Sequence, residues 1–188
     1  MSNETYKRII QNEMQKLKKP VKLKVFTSLR TNPDGTKLRE CRDCDQMMNL
    51  LRIYEENSKG LLKIDEMSIY DNPEFAKRYG VQRVPTILFI NEDGKELIRY
   101  LATPVGQEVQ PFIKALFAFG GAKNYYENAV KQNLDRIPES TIKIMITMSC
   151  PYCPTLVEAA NLFAIASEGK IRTVVVDIGD PANADIAQ

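Results

Sequence analysis

The chain has 188 residues, of which 44% are hydrophobic and 27% charged, an ordinary composition for a globular protein of one or two domains. The net charge of +2, without a basic stripe, gives no reason to expect binding to nucleic acid or to an acidic membrane. The absence of histidine excludes Ser-His and Cys-His catalysis and any zinc site with a histidine ligand. Because there is neither a membrane-length apolar run nor a signal-peptide core, we expect a cytoplasmic protein.

The first 120 residues alternate between helical and strand-like hydrophobic patterns. Pro20 ends the first predicted helix, and residues 91–94 (Asn-Glu-Asp-Gly) form a hairpin turn signal. Asn72 and Pro73 together predict the start of a short helix. The predicted elements are a helix over 5–19, a strand over 21–26, a polar loop over 28–40, a helix over 41–57, a strand over 61–67, a helix over 73–79, hairpin strands over 86–90 and 96–101, and a helix over 107–119.

Gly120 and Gly121 follow the last of these helices and mark the best candidate for a domain boundary. The pattern then restarts, with a helix over 125–136, a strand over 141–147, a helix over 150–167 and a strand over 170–178. We therefore predict two units, residues 1–120 and residues 121–188. The second unit stops before it reaches a counterpart of the first unit's hairpin. We expect it to be either a fragment or an incomplete domain with an exposed sheet edge that needs a partner.

All four cysteines belong to two Cys-X-X-Cys motifs, Cys41 to Cys44 and Cys150 to Cys153. Each motif follows a predicted strand and opens a predicted helix. A helix N-terminus favours a thiolate, because its free N–H groups and dipole stabilise negative charge. The pKa of the first cysteine is then expected to fall from about 8.5 toward about 3.5–7.5. The motifs predict two redox-active dithiols, in which Cys41 and Cys150 attack and Cys44 and Cys153 resolve the mixed disulfide.

The residues between the cysteines modify this chemistry. Arg42 favours the neighbouring thiolate, and Asp43 partly offsets that effect. Pro151 lacks an N–H but fits the first turn of a helix. Tyr152 offers an apolar surface that we expect to face the substrate.

The order strand, Cys-X-X-Cys, helix, strand, helix and then Val84-Pro85-Thr86 before a hairpin resembles the thioredoxin fold. Its repetition over essentially the whole chain resembles the protein disulfide oxidoreductases of thermophilic archaea and bacteria, which are glutaredoxin-like proteins with two such units. The second motif, Cys-Pro-Tyr-Cys, is also the usual glutaredoxin motif. The resemblance implies an α/β protein with the thioredoxin fold in tandem, a central mixed β-sheet flanked by helices, and an incomplete second unit.

The resemblance also implies what the protein acts on. It suggests exchange with protein dithiols and disulfides through the cysteines alone, with no bound cofactor, and electrons from a flavoprotein of the thioredoxin-reductase kind. The bond between Val84 and Pro85 is expected to be cis and to face Cys41, with the backbone of Val84 pairing with an extended substrate. A homo-oligomer formed through the incomplete second unit is a further expectation.

Some features depart from the family. The motif Cys-Arg-Asp-Cys is uncommon there, a long polar stretch precedes it, and neither active-site strand carries the acidic residue that thioredoxins bury beneath the dithiol. Residues 28–40 are a solvated insertion on the simplest interpretation and a cover over the first site on another. Two other functions stay open. One is a non-catalytic adaptor that uses the proline groove, and the other is a zinc site with four cysteine ligands.

Overall fold

The computed structural model describes residues 3–186. Its strands are Val21–Thr27 (β1), Leu29–Thr31 (β2), Lys37–Arg39 (β3), Leu62–Ser68 (β4), Thr86–Ile90 (β5), Glu96–Leu101 (β6), Ser140–Ile146 (β7) and Ile171–Asp177 (β8). Its α-helices are Asn3–Met14 (α1), Cys44–Glu56 (α2), Pro73–Arg78 (α3), Val109–Phe119 (α4), Glu127–Gln132 (α5) and Cys153–Ala166 (α6). No helix in the described part of the chain has the length and apolarity needed to cross a membrane.

Six strands form one mixed sheet in the order β4-β1-β5-β6-β8-β7, and β2 pairs with β3 in a separate hairpin. Strand β5 runs antiparallel to its neighbours β1 and β6, whereas the β1–β4, β6–β8 and β8–β7 pairs are parallel. Strands β1 and β7 therefore point the same way, and their carboxyl ends lie at the same edge of the sheet.

Helices α1, α2, α4 and α6 cover one face of the sheet and share one hydrophobic core with it. Helix α3 covers the other face over β1, β4 and β5, where Phe26, Met67, Ala76 and Leu88 form a smaller core. Successive strand residues point to opposite faces, which is why Val25 belongs to the larger core and Phe26 to the smaller one.

Phe112 of α4 lies at the centre of the larger core. Its ring centroid is 5.2 Å from that of Tyr54, 5.7 Å from that of Phe89 and 5.2 Å from that of Tyr100, with edge-to-face geometry in each pair. Such pairs add to the free energy already gained by burying the rings. The cluster joins α4, β5 and β6 to α2, the helix that begins at Cys44 of the first Cys-X-X-Cys motif.

The structure confirms the predicted fold class, an α/β protein with a central mixed sheet flanked by helices. The hairpin strands over 86–90 and 96–101 also have the predicted bounds. Helix α1 ends at Met14, five residues earlier than predicted, because turn bonds from Lys16 and Leu17 redirect the chain and bury Leu17. The helix predicted over 125–136 is shorter, because Asn124 accepts the N–H of Tyr126 and holds a turn ahead of α5.

The predicted polar loop over 28–40 is a β-hairpin. Asn32 and Thr36 pair through their backbones, and Asp34 accepts hydrogen bonds from both the N–H and the hydroxyl of Thr36. Gly35 adopts a φ of 82°, which favours glycine. The sequence showed the turn signal, but strands of three residues are too short to show an alternating pattern.

We expect Phe112→Ala to lower the free energy of unfolding by about 3–5 kcal/mol, because it removes three buried ring contacts and leaves a cavity. Phe75→Ala is the matched control, since Phe75 is 39% exposed and should cost no more than about 1 kcal/mol. Urea unfolding followed by circular dichroism measures both. Equal effects of the two substitutions would contradict the described core.

Candidate active site

The first cysteine pair lies at the carboxyl end of β1. Cys41 and Cys44 form a disulfide with their Cα atoms 5.5 Å apart. Cys44 is the first residue of α2 and is fully buried, whereas Cys41 lies in the preceding turn and is partly exposed. The backbone N–H of Cys41 donates to Ser28 Oγ at 2.5 Å, so Ser28 fixes the position of Cys41. The helix begins three residues later than predicted, because Asp43 is its N-cap and accepts the first helical hydrogen bond, from the N–H of Met47.

The second pair lies beyond the carboxyl end of β7. Cys150 and Cys153 form a disulfide with the same Cα separation of 5.5 Å. The Cys153 N–H, the first of helix α6, donates to Cys150 Sγ at 3.1 Å. The sulfur thus satisfies one of the N–H groups that a helix leaves free at its N-terminus. Tyr152 is 83% exposed beside the disulfide.

Both disulfides lie at one edge of the sheet. Four strand spacings separate β1 from β7 in the sheet order, which at about 4.8 Å each is ~19 Å. A groove of about 830 Å³ has Arg42 of the first motif and Met148, two residues before the second, among its lining residues. The two dithiols are too far apart to exchange with each other directly.

The bond between Val84 and Pro85 is cis, as the sequence predicts. Thr86 is opposite Phe26 in the β1–β5 pairing. The preceding Pro85 therefore lies at the carboxyl end of β1, the end that leads to Cys41. Among residues 3–186 there is no second cis-proline to accompany Cys150.

The sequence interpretation missed a buried acid. Glu108, just before α4, is 2% exposed, and its Oε2 has no hydrogen-bond partner among the described residues. Burial, with a contribution from the charge of Asp177, raises the pKa of Glu108 to about 7. The sequence shows no acid on either strand that leads to a cysteine pair, and Glu108 comes from another element. In the sequence, an acidic residue at the start of a strongly apolar helical segment was the signal that could have identified it.

Glu108 belongs to a polar cluster between the two halves of the chain. Asn161 of α6 donates to the Tyr100 hydroxyl at 2.7 Å, and burial followed by the charge of Glu108 raises the pKa of Tyr100. Asp177 ends β8 opposite Ile146, the last residue of β7, and burial raises the pKa of its carboxyl. The cluster is therefore next to the strand that leads to Cys150.

The described residues contain no group of three or more His, Cys, Asp or Glu side chains that could hold a metal ion. Each cysteine instead bonds within its own motif.

Comparison with known proteins found strong structural similarity. A protein disulfide oxidoreductase from Aeropyrum pernix superimposes with a TM-score of 0.81 and 25% identity, over 98% of this chain and 78% of that chain. The alkylhydroperoxide reductase AhpF from Enterococcus faecalis gives a TM-score of 0.73 and 19% identity, over 95% of this chain and 80% of that chain. The second likeness, at this identity, concerns the fold alone.

Sequence comparison found a weaker relative. An NADH dehydrogenase from Ferdinandcohnia aciditolerans is 25% identical over 132 residues, which cover 67% of this chain and 25% of that protein. The chain thus spans about a quarter of this curated relative. No protein-family model matches. The thioredoxin fold and two Cys-X-X-Cys pairs in disulfide contact define the class of the protein, a thiol–disulfide oxidoreductase. It resembles the protein disulfide oxidoreductases in particular.

The raised pKa of Glu108 has a consequence for stability. The carboxyl has a pKa of about 7 in the folded protein and an ordinary value near 4.5 in the unfolded chain. The folded state therefore binds the proton more tightly, and ionisation of Glu108 costs stability increasingly as the pH rises from 4.5 to above 7. We expect Glu108→Gln to have a higher free energy of unfolding than the unmodified protein at pH 8. The difference between the two proteins should be about 2 kcal/mol larger at pH 8 than at pH 5.

Urea unfolding at the two pH values measures this difference, with Glu92→Gln on the exposed hairpin turn as the control. A difference between Glu108→Gln and the unmodified protein that does not change with pH would contradict the raised pKa.

Proposed function

We propose that the chain is a protein disulfide oxidoreductase that works through Cys41/Cys44 and Cys150/Cys153. The observation that carries this proposal is the location of each disulfide at the N-terminus of a helix, at the carboxyl edge of a thioredoxin-type sheet. The similarity to the Aeropyrum pernix protein disulfide oxidoreductase supports protein disulfides as the substrates.

In the reducing direction, the thiolate of Cys41 attacks one sulfur of a substrate disulfide and releases the other as a thiolate, which takes up a proton. Cys44 then loses its proton and attacks Cys41 Sγ in the mixed disulfide. The substrate leaves as a dithiol, and the Cys41–Cys44 disulfide forms, so that two electrons pass from enzyme to substrate. Full burial of Cys44 suits the resolving role, because an incoming substrate reaches only the partly exposed Cys41.

The second site would perform the same steps with Cys150 and Cys153. The hydrogen bond from the Cys153 N–H to Cys150 Sγ supports Cys150 as the attacking residue, because such a bond strengthens when sulfur is negatively charged. The exposed ring of Tyr152 would offer the substrate an apolar contact.

Substrate contacts at the first site would come from Val84, Pro85 and Arg42. Val84 and Pro85 are partly exposed and Arg42 is exposed, so all three are accessible to an extended polypeptide. The backbone of Val84 would bond to the substrate as an added strand does. Contacts through the backbone suit substrates of varied sequence.

Glu108 would serve the proton transfers. A carboxyl group with a pKa of about 7 exchanges its proton readily near neutral pH. It belongs to the cluster beside the strand that leads to Cys150, so the second site is the one whose proton transfers it would serve.

The remaining assignments belong to the same proposal. Residues 1–120 and 121–188 would be two thioredoxin-fold units that share one sheet, in a cytoplasmic protein with no bound cofactor. Electrons would come from a flavoprotein of the thioredoxin-reductase kind. Association of two chains through the second unit would form a homo-oligomer. The unpaired side of β7 in the described part of the chain supports such an association, because a strand edge can pair with another chain.

Reduction of insulin by dithiothreitol tests the proposal on three proteins: the unmodified chain, Cys41→Ser and Cys150→Ser. We expect the unmodified chain to accelerate the reaction. Each substitution should remove the contribution of its own site, because the attacking sulfur is lost, so the two single variants should each keep part of the rate.

The double variant Cys41→Ser/Cys150→Ser is the control and should be inactive. Absence of acceleration by the unmodified chain would contradict the proposed enzyme and favour the adaptor interpretation. Full activity in the double variant would show that the cysteines assigned here are not the attacking residues.

A further inference from the structure

The hairpin of β2 and β3 touches the first active site at its base. Ser28, the residue before β2, accepts the N–H of Cys41 through its hydroxyl and the N–H of Glu40 through its carbonyl. Glu40 connects β3 to Cys41. The two ends of the hairpin therefore meet at the attacking cysteine, and the second site has no such neighbour among the described residues.

The inner face of the hairpin is anchored by Arg39. Its guanidinium makes two hydrogen bonds to the carboxylate of Glu66 on β4, at 2.6 and 2.7 Å, and one to Asp45 in the first turn of α2, at 2.8 Å. Thr27 donates to the same Glu66 carboxylate at 2.6 Å. The Arg39 and Glu66 side chains are only 14% and 16% exposed, which strengthens bidentate pairing of this kind. The hairpin is thus fixed to both the sheet and the active-site helix.

The outer face presents a ledge beside the disulfide, formed by Arg30, Leu38, Glu40 and Tyr70. The Arg30 guanidinium lies 4.1 Å from the ring centroid of Tyr70, and Glu40 accepts from both Arg30 and the Tyr70 hydroxyl at 2.7 Å. These contacts pair the charges of Arg30 and Glu40 and place the Tyr70 ring against the hairpin. Leu38 is left 56% exposed and Tyr70 42% exposed. Leu38 and the Tyr70 ring therefore offer apolar surface to solvent at the hairpin that leads into Cys41.

The sheet order places this ledge in line with the proposed substrate contacts. Strand β1 lies between β4 and β5. The hairpin packs over the carboxyl end of β4, Cys41 follows the end of β1, and Pro85 precedes β5. A polypeptide that lies across Pro85 and Cys41 and continues in the same direction reaches the hairpin.

We propose that the hairpin ledge is a substrate-binding surface of the first site, which selects polypeptides that carry an apolar side chain near the disulfide-bonded cysteine. This inference rests on the proposed function. Leu38 precedes Cys41 by three residues, and three residues of extended chain span about 10 Å. The preferred apolar residue should accordingly lie about three positions from the substrate cysteine.

The test uses a protein in which only the first site can react, Cys150→Ser/Cys153→Ser. The substrates are short peptides whose single cysteine carries a fluorescent thiol in disulfide linkage. One set has leucine three residues before or after the cysteine, and the matched set has glycine there. Release of the fluorescent thiol by the pre-reduced protein is followed in a single turnover. This measurement needs no reductase.

We expect the better leucine peptide to react about tenfold faster than its glycine counterpart, because contact with Leu38 removes apolar surface from water on both sides. Leu38→Ser should abolish this preference and leave the glycine rate within twofold. Leu156→Ser is the matched control, since Leu156 is also 56% exposed but lies on α6. It should keep the preference intact.

Two results would contradict substrate binding by the ledge and leave the proposed function standing. One is equal rates for the leucine and glycine peptides, and the other is a preference for leucine that persists in Leu38→Ser. If neither peptide releases its fluorescent thiol, both the proposed function and substrate binding by the ledge are contradicted. A Leu38→Ser protein that loses the glycine rate as well would also contradict the inference, because the hairpin would then support the site without selecting its substrates.

Discussion

The parallel pairing of β6 with β8 is the interaction on which the rest of the structure depends. It joins the two halves of the chain into one sheet, with Ile98 opposite Thr173 and Leu101 opposite Val176. Because the pairing is parallel, the strands that lead to both cysteine pairs end at the same edge. It also brings α4 against α6 and encloses Glu108 between the halves. An antiparallel pairing would have placed the two disulfides at opposite edges.

The two sites share a motif but differ in their surroundings. At the first site, Ser28 holds the backbone of Cys41, the hairpin lies on one side and Pro85 on the other. At the second site, the sulfur of Cys150 itself accepts a helix N–H, and an exposed Tyr152 adjoins it. Under the proposed function, the first arrangement would serve recognition of an extended polypeptide, and the second would stabilise a thiolate.

Much of the fold could be predicted from local patterns in the sequence. The hairpin of β5 and β6 was predicted to the residue, since its turn signal and flanking apolar runs are both strong. Helix starts were less well predicted. Helix α2 begins at Cys44, after the N-cap residue Asp43, and α6 begins at Cys153, whose N–H bonds to Cys150 Sγ. The hairpin of β2 and β3 escaped prediction, since its stability comes from Arg39 contacts to distant residues.

The sequence by itself determined the two Cys-X-X-Cys motifs, their places between strand and helix, and the proline before β5. These features depend on residues close together in the chain, and local chemistry is enough to interpret them. Only the tertiary structure decided that the sites share an edge, that Glu108 lies buried without a hydrogen-bond partner among the described residues, and that an ordered hairpin borders Cys41. Each of these depends on contacts between residues far apart in sequence, which only the packing of the sheet and helices brings together.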